Sequence, residues 1–151
     1  AQLAKCCPRP FLQNLFKKVT QRLLLATQSS ASDDGDDNEK NKNSEETDKI
    51  CSLLGLAQAL VSSQCLDENS ISLLYRAVRP LVRTDEHNPS VQKKSYKVLV
   101  ELCEKYTSFV TSDERLNEMT ELMIGSIVTC QVSARHMRLK CVMFVVKGLD
   151  A

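Results

Sequence analysis

At 151 residues, 42% hydrophobic and 26% charged, the chain has the composition of a folded domain or a few units of a repeat array, which excludes a disordered tail. Four glycines and four prolines are too few for the turns of an all-β domain, which leaves an all-α fold. The net charge of +1 names no partner, but between Ser29 and Lys49 eight acids face three lysines, a local −5 that leaves +6 on the rest.

In chain order, residues 1–7 read as the tail of a preceding helix and 9–28 as the first full one, entered through Pro8 and Pro10. Phe11, Leu15, Val19 and Leu23 recur every four residues, with Leu12 and Phe16 beside them. Residues 29–47 are polar throughout and lack any hydrophobic period, so they are expected to be a disordered acidic insertion inside a folded unit. Helical periodicity returns over 48–64, on Ile50, Leu53, Leu54, Ala57, Leu60 and Val61. Asp67 is placed to cap the next helix, whose stripe is Ile71, Leu74, Val78, Leu81 and Val82, with Pro80 inside it as an expected kink. Asn88 followed by Pro89 is a cap and first-position proline for a helix to about residue 106. Thr111 and Glu114 have capping-box spacing ahead of 112–130, and the last helix is expected over 133–149.

The spacing separates a bundle from an array. Residues 90–106 align with 133–149 at a shift of 43: Lys97 meets Lys140, and Leu102 meets Val145. The helices before each align at 45, Ile71 with Leu116 and Leu74 with Met119. Removing 29–47 brings Phe11 to 41 residues ahead of Ile71. Periods of about 40–47 with two helices each predict a HEAT/armadillo-type α-solenoid of three antiparallel helix pairs. The expected organisation is 1–28 as first helix with its preceding tail, 29–47 as insertion, and 48–151 as the remaining helices.

The seven cysteines are odd in number, irregularly spaced and without a C-x-x-C. They read as buried small hydrophobes in a reducing compartment, cytosol or nucleus. No secretory signal or bilayer-spanning apolar run is visible, so no membrane partner is expected. The chain starts at Ala1 rather than Met and reads as a piece of something longer.

Val91-Gln92-Lys93-Lys94-Ser95-Tyr96-Lys97-Val98-Leu99 resembles a helix of the ribosomal-RNA-processing protein twelve family, large HEAT-repeat proteins of ribosome assembly. Asn14-Leu15-Phe16-Lys17-Lys18-Val19 and Arg138-Leu139-Lys140-Cys141 are similar to further stretches of it, in the same order. The loop before the last helix, at Arg135-His136-Met137, departs from the family pattern. The resemblance implies nuclear and nucleolar residence with shuttling to the cytoplasm, association with pre-ribosomal particle proteins and rRNA, a part in subunit maturation and nuclear export, and no catalytic residues.

The residues themselves carry no enzyme signature. There is no phosphate-binding loop, dinucleotide fingerprint or nucleophile elbow, and the carboxylates cluster where nothing rigid could hold a pair in register. His87 and His136 lack ligand-spaced partners and read as solvated. The chain is therefore expected to be non-enzymatic, with no metal, cofactor or small-molecule substrate. What remains is basic surface. Arg76, Arg79 and Arg83 line one flank of their helix, off its apolar stripe. Lys93, Lys94 and Lys97 on one helix, and Arg135, Arg138 and Lys140 on the last, are expected to form neighbouring stripes suited to RNA phosphate or an acidic protein segment. Ser30 and Ser32, beside acidic residues, are candidate phosphorylation sites. The alternative is a HEAT-repeat adaptor of nuclear transport that grips a peptide or a small GTPase.

Overall fold

A computed structural model describes residues 7–29, 39–83 and 88–149, leaving aside the side chains of 27–29 and 39–43. Among them there is no strand. The helices are α1 (Arg9–Ser29), α2 (Glu39–Ser62), α3 (Glu68–Arg83), α4 (Pro89–Lys105), the single turn α5 (Thr107–Val110), α6 (Asp113–Gly125) and α7 (Arg135–Leu149), with a 3-10 turn at Val132–Ala134 before the last.

The caps are chemical. Asp67 Oδ1 accepts from the Ser70 N–H at 2.8 Å, and the bonds from Ser70 lower the Asp67 carboxyl's pKa. Asn88 Oδ1 accepts from the Ser90 N–H at 2.9 Å ahead of Pro89. The capping box expected at Thr111 does not form: its hydroxyl donates back to the Thr107 carbonyl at 3.0 Å, and Ser112 takes the N-cap position with its hydroxyl donating to the Phe109 carbonyl at 3.0 Å instead of capping α6. The single turn α5 accounts for this, because it has already used Thr111 at its own C-terminus.

Two boundaries differ from expectation. Helix α2 begins at Glu39, so residues 39–47 are helical rather than part of an unstructured insertion. They hold no large apolar side chain, but Glu and Lys are good helix formers, and Glu45 and Lys49 pair across one turn at 3.9 Å. Helix α6 stops at Gly125, five residues before the expected end. The remainder of the insertion, residues 30–38 with Ser30 and Ser32, lies outside the described residues, as does His87.

The core also corrects the first stripe. Leu12, Phe16, Val19 and Leu23 are buried, while Phe11 is exposed and Leu15 only half-buried. Leu54, Leu74, Leu99, Leu102, Met123 and Val145 are buried on the later helices.

Packing follows a repeating scheme. Helix α1 lies on α2 and α3, α3 on α4 and α6, α4 on α2 and α7, and α6 on α7. This sorts the helices into two layers, α1–α3–α6 and α2–α4–α7, an arrangement consistent with an α-solenoid. Polar ties within each layer reproduce the period read from the sequence. The Lys94 ammonium donates to the Cys51 carbonyl at 3.0 Å and Arg115 to the Ser72 hydroxyl at 3.1 Å, both 43 residues apart. The Cys141 thiol lies 3.9 Å from the Tyr96 carbonyl, 45 residues back. Equivalent helices of successive units therefore stand side by side.

Leu99 is buried in α4, the helix with partners on three sides. Leu99→Ala is expected to cost roughly 2–5 kcal/mol, read as a lowered midpoint in thermal or urea melts. A cost below about 1 kcal/mol would contradict this packing.

Candidate partner-binding surface

The fold divides the nine basic residues. Arg76, Arg79 and Arg83 belong to α3, in the first layer. Lys93, Lys94 and Lys97 on α4, with Arg135, Arg138 and Lys140 on α7, belong to the second. The α4 and α7 sets are neighbours, because those helices pack together. The α3 set looks out from the opposite layer.

Three of the nine are engaged inside the molecule. The Arg79 guanidinium stands 3.7 Å from Glu118 on α6. Lys94 binds the Cys51 carbonyl of α2. Arg138 donates to the Met123 carbonyl and, at 3.4 Å, to the Ser126 hydroxyl, which ties α7 to the end of α6. Each replaces water around a charged head with a fixed acceptor, so these groups join helices rather than wait for a ligand. Arg76, Arg83, Lys93 and Arg135 are exposed, and Lys97 and Lys140 half-buried.

On α4 the outward strip is Lys93, Lys97, Glu101 and Glu104. Its positive end therefore sits over the first half of the helix only, and Glu101 is held by the Ser62 hydroxyl of α2 at 2.6 Å. On α7, Arg135 and Lys140 continue the positive end, and that helix contains no acid. His136 is exposed on its first turn.

Other features escape a reading by residue type. Arg115 bonds Glu118 at 2.6 Å, which raises its pKa, and its guanidinium lies over the Tyr75 and Phe109 rings at 5.7 and 5.4 Å. Gln92, followed in sequence by two lysines, is fully buried. Its amide nitrogen donates to the carbonyls of Val82 at 3.3 Å and Thr129 at 3.0 Å, and its oxygen accepts from the Gln131 N–H at 2.7 Å. The six described cysteines are free thiols, four of them buried, and burial raises the pKa of Cys51 and Cys130. No group of metal-ligating side chains, and no helix long and apolar enough to cross a membrane, occurs among the described residues.

No protein-family model and no solved structure matches the chain. Two curated proteins do. An RRP12-like protein of Homo sapiens is 36% identical over 104 residues, and an RRP12-like protein of Gallus gallus is 33% identical over 104. Each match covers 66% of this chain and 8% of the relative, so the chain spans less than a tenth of their length. The resemblance carried by the Val91–Leu99 helix and its two companion motifs is thereby shown to be one to RRP12-like proteins.

Proposed function

We propose that the chain is a HEAT-type segment of a ribosome-biogenesis factor of the nucleus and nucleolus. It acts without catalysis, holding pre-ribosomal RNA along the outer side of the second layer, while proteins of the same particle and the export machinery engage elsewhere on the parent protein. The observation that carries this reading is the 104-residue similarity to the two RRP12-like proteins. The clustering of Lys93, Lys97, Arg135 and Lys140 on the adjacent helices α4 and α7 supports a phosphate-binding role for this side. No exposed aromatic stands among these lysines, so the expected mode is backbone recognition, driven by counterion release and indifferent to sequence.

The test is binding of an rRNA fragment to residues 1–151 at several salt concentrations. Lys93→Gln with Lys97→Gln should weaken binding about tenfold at low salt and lower the slope of log K against log salt by about 1.5–2. Arg76→Gln with Arg83→Gln, on the other layer, should change neither. Equal slopes for wild type and the lysine pair would remove RNA from this surface.

A further inference from the structure

Helix α7 is held by a narrow contact. Of its fifteen residues only Cys141 and Val145 are buried, whereas α4 buries nine. Cys141 is 0% exposed and meets α4 at two places. Its thiol lies 3.9 Å from the Tyr96 carbonyl, and it bonds the thiol of Cys103, itself 1% exposed. The bond to Cys103 and burial both raise the Cys141 pKa, so in the closed joint Cys141 is a neutral, unreactive thiol.

The paired thiols belong to one joint and not to its neighbour. At the 43-residue register Cys103 corresponds to Leu60 and Cys141 to Val98, which are 4 and 0% exposed. Helices α2 and α4 thus bury two aliphatic side chains at the positions where α4 and α7 bury two thiols. Leucine and valine already satisfy the packing there. What sulfur adds is the capacity for a reversible covalent bond between the two helices.

We propose that Cys103 and Cys141 are a hydroperoxide-sensitive pair, whose oxidation to a disulfide fastens α7 to α4 and whose reduction by a small thiol releases it. Opening of the narrow joint brings Cys141 to solvent, where it ionises as an ordinary thiol does. The thiolate attacks a peroxide oxygen: an S–O bond forms, the O–O bond breaks, and the alkoxide leaves as an alcohol with the thiol's proton. On reclosure the Cys103 sulfur attacks the Cys141 sulfenic acid. The S–S bond forms, the S–O bond breaks, and the hydroxyl leaves as water with the Cys103 proton. Two thiols and one hydroperoxide give one disulfide, one alcohol and one water. Exchange with two equivalents of glutathione, which departs as its own disulfide, restores the pair. The bond closes residues 103–141 into a loop and removes the open states of the joint. This device does not depend on what the second layer binds.

The experiment treats residues 1–151 with hydrogen peroxide, blocks the remaining thiols, and maps a tryptic digest by mass. Peptide 98–105 joined to peptide 141–147 should appear, and should vanish on addition of glutathione. In the oxidised protein, amide exchange in α7 should slow by on the order of 100-fold relative to the reduced one, a comparison that needs no variant. Cys141→Val, which gives α7 the residue that α4 carries at Val98, should yield no linked pair and no response of α7 exchange to peroxide. The proposal is overturned by oxidation products that leave Cys103 and Cys141 unlinked, by a linked pair with unchanged exchange in α7, or by a linked pair that glutathione leaves intact.

Discussion

Gln92→Leu is expected to lower the melting midpoint by roughly 10 °C, a loss of about 3–5 kcal/mol in a chain of this size. The substitution conserves volume and adds apolar surface, so on hydrophobicity alone it should stabilise. The opposing effect is larger. The Gln92 amide satisfies the Val82 and Thr129 carbonyls and the Gln131 N–H, which lie at the end of α3 and in the turn between α6 and α7. Removing it leaves buried backbone groups with a partner missing, at about 1–3 kcal/mol each. The bonds also cross from one unit to the next, so their loss should uncouple the last helix pair before the others. Amide hydrogen exchange at Gln131 should accelerate well ahead of that in α1. A neutral Gln92→Leu would mean that water reaches these groups and that the amide is a spectator.

That residue also marks the limit of what the sequence reveals. Val91-Gln92-Lys93-Lys94 reads as one core position followed by surface, and only the neighbouring unit's backbone turns Gln92 into a buried joint. The same holds for Arg79, Lys94 and Arg138, which count as free charge until α6, α2 and the end of α6, respectively, offer them acceptors. The α-helical class, the main helices and the 43-residue register were legible because each rests on local periodicity and spacing. The buried face of α1 was not, for a geometric reason. Phe11, Leu15, Val19 and Leu23 step by four residues, and each such step drifts about 40° around a helix with 3.6 residues per turn. Leu12, Phe16, Val19 and Leu23 alternate steps of four and three and stay on one side. The start of α2 was illegible because residues 39–47 hold no large apolar side chain and so leave no stripe to read. The short turn α5 and the 3-10 turn before α7 are below the length at which periodicity can register.

Alkaline pH should unfold the chain, and two tyrosines should set the midpoint. Burial raises the pKa of Tyr75 to about 12, helped by the nearby Glu118 carboxylate, and burial likewise raises that of Tyr96 to about 12. Neither hydroxyl makes a hydrogen bond of regular geometry, although Tyr96 stands beside Ser126. In the unfolded chain a tyrosine ionises near pH 10. Below that pH both states keep the phenolic proton, and the residues contribute no pH dependence. Between pH 10 and 12 the unfolded state releases protons that the folded state retains, so stability falls as pH rises. Two groups shifted by about two units each amount to on the order of 5 kcal/mol, comparable with the whole stability of a typical domain. Other groups also titrate in strong alkali, so wild type alone does not isolate the tyrosines. The comparison with Tyr75→Phe and Tyr96→Phe combined does, because both proteins share every lysine and cysteine. At pH 7 the double variant should lie within about 1 kcal/mol of wild type, since each lost hydroxyl is buried without a regular bond. Its alkaline midpoint, followed by far-ultraviolet circular dichroism, should move up by about one pH unit. Coincident alkaline transitions would show that these phenols ionise without unfolding the chain, and therefore that the α3–α4 core admits water.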